Sequence, residues 1–103
     1  METEYLAGGS ELKAMEMVLQ FLKENTLDVK WPRTDRLPEM KIRLKLMEAN
    51  FPPRLIGRVL RQVSAGGCGV HKFRHPHGEC DYWISPEKEF HEALERIRKL
   101  LGK

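Results

Sequence analysis

A chain of 103 residues, 41% hydrophobic and 32% charged, has room for one modest core, which excludes a two-domain reading and intrinsic disorder. No apolar stretch nears the roughly 20 residues of a membrane span, and Met1 to Ser10 lacks the basic start and apolar run of a secretory signal, so a cytoplasmic protein is expected. The net charge of +3 is unevenly spread: residues 1–29 carry two lysines against six acids, residues 30–74 eleven basic residues against three acids, and residues 75–103 five against six, a basic centre suited to a polyanion.

From Ser10 the run SELKAMEMVLQFLKEN predicts a first helix over 10–25, with Ser10 as its N-cap and residues 1–9 as a flexible lead. Leu12, Met15, Leu19 and Leu22 form one stripe. Met17 and Phe21 lie off it beside Ala14 and Val18, so the apolar arc is wider than packing on one surface requires. A second partner surface is therefore expected. Thr26 to Pro38 reads as a connector with room for a short strand, because Trp31-Pro32 and Leu37-Pro38 each push the residue before proline out of the helical region.

Met40 to Leu46 fits two periods. Met40, Ile42, Leu44 and Leu46 alternate with Lys41, Arg43 and Lys45 as in a strand, while Leu37, Met40, Leu44 and Met47 fall at helix spacing; helix is the favoured reading. In PPRLIGRVLRQVSA the prolines suit an opening turn, Leu55, Ile56, Val59, Leu60 and Val63 share one side, and Arg54, Arg58 and Arg61 share the other. Gly66-Gly67 stops that helix, and CGVHKFR and ECDYWIS read as two strands around an HPHG turn. Ser85-Pro86-Glu87 supplies an N-cap, a first-turn proline and an acid for a last helix over 86–103, with Phe90, Ala93, Leu94, Ile97, Leu100 and Leu101 inward. The predicted fold class is mainly α with a small β-hairpin, an α+β domain.

The order helix, connector, helix, tight turn, helix, hairpin, helix resembles a winged helix-turn-helix domain of MarR-like and PadR-like regulators, over roughly residues 37–90 with the helix-turn-helix and wing in 37–85. Leu46 through Phe51 looks like the end of the first motif helix and the turn, Pro53 to Ser64 like the recognition helix, and Gly66 to Ser85 like the wing. The string GGCGVHKFRHPHGECDYWIS carries most of the likeness: a glycine pair leads into a basic strand, the tip holds a glycine, and a strand ending in aromatics returns. Two departures stand out. The turn is Asn50-Phe51-Pro52-Pro53 instead of the commoner glycine-centred form, and the strand usual after the first helix is not clearly written.

The resemblance implies DNA binding, sequence-specific or structure-specific, and the residues point the same way. A recognition helix buries one face and presents donors on the other, and arginine matches both guanine edges and phosphate oxygens. Arg54, Arg58 and Arg61 meet that need, flanked by Gln62 and Ser64, while Lys72, Arg74, His75 and His77 would place a second contact on the wing. Gly57, inside the helix, costs about 1 kcal/mol against alanine and so suggests close approach of another backbone or of DNA. The expected partners are double-stranded DNA and a second copy of the chain, a homodimer through the first and last helices, with Leu12, Leu19, Phe21, Phe90, Ile97 and Leu101 in excess of one monomer's core. The expected job is transcriptional regulation; the alternatives are a protein-binding winged helix or the DNA-binding part of a plasmid or phage replication protein.

Other chemistry is thinly written. Cys68 and Cys80, twelve positions apart, point to reduced thiols or a metal more than to a disulfide. With His71, His75 and His77 they are five candidate zinc ligands, but C-x2-H-x3-H-x-H-x2-C matches no common zinc module, and a hairpin turning near Pro76 keeps Cys68 far from Cys80. No paired catalytic carboxylates, serine elbow, phosphate-cradling loop or dinucleotide fingerprint appears, so neither an enzyme nor a cofactor is expected.

Overall fold

The computed structural model describes residues 8–27, 36–84 and 87–103. Helix α1 spans Gly8–Leu22 and runs into a wider π turn over Lys23–Leu27, where Asn25 Nδ2 and the buried Thr26 hydroxyl donate to the carbonyls of Phe21 and Leu22. Strand β1 (Leu37–Pro38), helix α2 (Glu39–Glu48), helix α3 (Pro53–Val63), strand β2 (Val70–Arg74), strand β3 (Cys80–Ile84) and helix α4 (Glu87–Leu100) follow. This is a mainly helical domain with a small antiparallel sheet in the order β1-β3-β2. Among the described residues no helix is long and apolar enough to cross a membrane.

The first helix starts earlier than its sequence suggests, at Gly8, so Ser10 lies within it and not at its cap. The Ser85-Pro86 step and residues 28–35 of the connector fall outside the described residues, but the connector ends in the short strand for which it had room. Leu37 and Pro38 pair with Tyr82 and Asp81. A two-residue strand holding a proline gives almost no sequence signal, and proline is tolerated there because the strand sits at the sheet edge.

The α2–α3 turn shows why asparagine can replace glycine. Asn50 adopts φ 70°, a left-handed conformation that asparagine tolerates better than most residues. Its N–H donates to the Met47 carbonyl at 2.9 Å and that of Phe51 to the Leu46 carbonyl at 3.1 Å, the Schellman pattern that closes a helix. Phe51 then packs on the core and Pro52-Pro53 opens α3, so three local devices fix the angle between the two helices.

The core joins all four helices to one face of the sheet. Leu55, Ile56, Val59, Leu60 and Val63 of α3 are buried against Ala14, Val18, Leu19 and Leu22 of α1. On its other flank α1 meets α4, whose Phe90, Ala93, Leu94 and Ile97 are buried. The second surface expected for the wide α1 arc is thus α4 of the same chain. Leu19, Phe90 and Ile97, counted toward a dimer contact, are buried inside the monomer, whereas Leu100, expected inward, is 67% exposed. Glu16 ties the two helices at their edge, accepting from Arg98 Nε at 3.0 Å and Lys103 Nζ at 2.7 Å.

Helix α2 is turned differently from the stripe its spacing suggests. Ile42 and Leu46 are buried, while Met40, Leu44 and Met47 stand 65%, 50% and 51% exposed. Alternating apolar residues wound into a helix put apolar side chains on every face, and packing alone selects which face goes in.

A polar knot fixes α2 to the sheet. The buried Tyr82 hydroxyl donates to Glu39 Oε1 at 2.7 Å and Arg43 Nε to Glu39 Oε2 at 2.8 Å. Burial alone would raise the Glu39 carboxyl, but the hydrogen bonds from Arg43 and Tyr82 outweigh it and hold it below its ordinary value. Burial and the Glu39 contact push the Tyr82 phenol well up. A depressed carboxyl contributes stability that is lost as pH falls below ~4.3, and a raised phenol contributes stability that is lost as pH climbs above ~10. Unfolding midpoints measured from pH 3 to 11 should therefore drop at both ends; Glu39→Gln should flatten the acid limb and Tyr82→Phe the alkaline one.

Candidate nucleic-acid interface

Side chains alternate across a strand, so the hairpin has two faces of different chemistry. The register pairs Val70 with Ile84, Lys72 with Tyr82 and Arg74 with Cys80 on the inner face, and His71 with Trp83 and Phe73 with Asp81 on the outer. The tip turns through His75-Pro76-His77-Gly78, with the Gly78 N–H donating to the His75 carbonyl and Gly78 at φ 99°, where a side chain would be strained.

On the inner side, α3 and β2 flank a groove of about 420 Å³ lined by Gly57, Leu60 and Arg61 from α3, Glu39 and Arg43 from α2, and Lys72, Arg74, Cys80 and Tyr82 from the sheet. Four cations thus surround one carboxylate, and that carboxylate is already held by Arg43 and Tyr82. Arg61, Lys72 and Arg74 are exposed and form no ion pair among the described residues. A Cβ built on Gly57 meets nothing within 4 Å, so no other part of the described chain requires the glycine. The groove floor is left open there.

The nine residues expected to touch DNA separate into four groups. Arg61, Lys72 and Arg74 converge on the groove. Arg54 and Gln62 stand exposed on the outward side of α3. Arg58 is drawn back onto α1, its Nη1 donating to Glu11 Oε1 at 2.6 Å, and the Ser64 hydroxyl donates to its own helix at the Leu60 carbonyl, 2.8 Å away. His75 and His77 belong to the tip: His75 Nε2 lies 2.7 Å from Asp81 Oδ2, and the two imidazoles stack at 5.1 Å. Arg43 was missed by sequence reasoning. Its only signal was membership of the basic block, because its approach to the groove depends on which way α2 is turned.

Of the two cysteines, Cys80 lines the groove and Cys68 does not. Both are free and buried, Cys80 on the inner face near the tip and Cys68 ahead of β2, and burial pushes the Cys68 thiol up. Among the described residues no three of His, Cys, Asp and Glu come together in a way that could hold a metal. No family model matches the chain, and neither a curated protein nor a solved structure does.

Proposed function

We propose that this chain is a winged helix-turn-helix domain that binds duplex DNA without enzymatic chemistry and serves as a transcriptional regulator. In this reading α2, the Asn50 turn and α3 are the helix-turn-helix, and β2 and β3 are the wing. The order helix, strand, two helices across a tight turn, and hairpin supports it, as does the pairing of β1 with the far strand of the hairpin. The observation that carries it is the groove in which Arg43, Arg61, Lys72 and Arg74 gather around Gly57.

An α-helix about 10–12 Å across fills a major groove about 12 Å wide. With α3 so placed, Arg54 near its N-terminus and Gln62 would read base edges, while Arg61, Lys72, Arg74 and Arg43 would hold phosphates along the flank. A homodimer on a two-fold operator is part of the proposal; on the first and last helices it has the half-buried Leu12, Phe21 and Leu101 and the exposed Leu100 to work with. One observation favours a protein-binding role instead, the exposed Met40, Leu44 and Met47 of α2.

A gel-shift series on random duplex separates the two. If four to five phosphates are neutralised per subunit, log affinity should fall against log salt with a slope near −4. No retention of duplex at ~50 mM salt would reject DNA binding and leave the protein-binding role.

A further inference from the structure

The outer face of the hairpin carries a continuous row of π systems that duplex binding on the inner face does not use. His71 stacks on Trp83 with ring centres 5.5 Å apart, and the Arg36 guanidinium lies 4.5 Å from the Trp83 ring centre and 5.2 Å from that of Phe73. Phe73 meets His75 edge-on at 5.0 Å, and His75 stacks on His77 at the tip. From His71 to His75 the row covers four strand steps, roughly 13 Å.

Phe73 is 43% exposed and His71 is exposed as well, so these rings present faces to solvent as well as to one another. Of the acids on this face, Asp81 is taken up by His75, and Glu79 at the tip lies 3.6 Å from His77. The hairpin is therefore cationic on one side and aromatic with a guanidinium on the other, and among the described residues no strand pairs with the outer edge of β2. Nucleobases match that second side: their faces stack on aromatic rings and on arginine planes, and the phosphates joining them are drawn to the same cations.

We propose that the outer face of the hairpin is a stacking platform for unpaired nucleotides, so that the chain prefers nucleic acid in which a duplex runs into a single strand. The duplex lies against α3 and the inner face, as in the function proposed above, and the unpaired strand crosses to the outer face around the His75–Gly78 tip. His71 and Phe73, the exposed rings, hold bases by stacking with the Arg36 guanidinium and Trp83 behind them, and specificity is for an unpaired base face over any particular sequence.

The test uses the full chain and fluorescence anisotropy on a blunt duplex, the same duplex with an oligo(dT) tail, the same duplex with an oligo(U) tail, and the free oligo(dT). The tailed duplexes should bind about tenfold or more tighter than the blunt one, the gain expected from stacking even one base or two. Phe73→Ala and His71→Ala, both at exposed positions, should abolish that advantage while leaving blunt-duplex affinity and the thermal midpoint near parental values. A gain confined to one tail chemistry assigns the platform to DNA or to RNA. Equal affinity for blunt and tailed duplexes, or a tail advantage that survives both substitutions, overturns the proposal and leaves duplex binding intact. Tail-dependent binding that needs Phe73, together with no affinity for blunt duplex, would support the platform while rejecting the duplex reading. Self-association abolished by Phe73→Ala, with no tail effect, would assign the face to a second copy and overturn the platform.

Discussion

Replacing Arg61, Lys72 and Arg74 together by alanine is expected to lower duplex affinity more than a hundredfold at low salt and to move the salt slope from about −4 to between about −1 and −2. Each phosphate contact removed takes close to one unit from the slope, and its lost affinity is on the order of 1 kcal/mol, so three give about 3 kcal/mol. The fold should be indifferent. All three side chains are exposed and without ion-pair partners among the described residues, and the repulsion among like charges that the substitutions relieve offsets the longer-range attraction of Lys72 for Glu39 that they remove. Arg58→Ala is the internal comparison. Its guanidinium is paired with Glu11, so its loss should cost the fold up to about 1 kcal/mol and change the salt slope less than any groove residue does. Parental affinity and slope in the triple variant would place the nucleic acid, if bound at all, on some other surface.

How far the sequence foretold this molecule depends on whether the deciding interaction was local. Helix α3 was legible because its five apolar residues recur on one side at helical spacing and all five are buried. The hairpin was legible because its turn residues are conformationally specific, and Gly78 takes the positive φ its position needs. The facing of α2 was not, since Met40, Ile42, Leu44 and Leu46 alternate and only contact with the rest of the core chose Ile42 and Leu46. Nor was the diversion of Arg58, whose partner Glu11 lies forty-seven positions away. The aromatic row is an intermediate case. The residues His71, Phe73 and Trp83 could be seen to alternate along their strands, but their gathering with Arg36 needs the cross-strand register and the placement of β1.

The wide apolar arc on α1 shows how one count of apolar residues can be met by two kinds of surface. The sequence holds more apolar residues on its first and last helices than one contact can cover, and a second subunit is one way to cover them. The chain packs α1 between α3 and α4, which buries Leu19, Phe90 and Ile97 within the monomer and leaves Leu12, Phe21 and Leu101 only partly covered. Outside as well stands the Met40, Leu44 and Met47 stripe, on the helix where apolar and basic residues alternate and the charge pattern drew attention to the lysines and arginine.

Within α3, two neighbouring substitutions should move stability in opposite directions. Leu60→Ala removes a side chain that is 3% exposed, and the loss of buried contacts and the remaining cavity should destabilise the fold by about 2 to 5 kcal/mol, read from urea or thermal unfolding. Gly57→Ala, three positions earlier, adds a methyl group where nothing lies within 4 Å and removes backbone freedom from the unfolded chain, so it should stabilise by about 0.5 to 1 kcal/mol. The added methyl projects into the basic groove. If a sugar-phosphate backbone approaches α3 closely there, the same variant should bind duplex several-fold more weakly despite its higher melting point, a combination that separates contact from folding. Should Gly57→Ala raise the melting point and leave duplex affinity unchanged, the glycine is incidental to binding, and the nucleic acid is held by the long cationic side chains at a distance from the helix backbone.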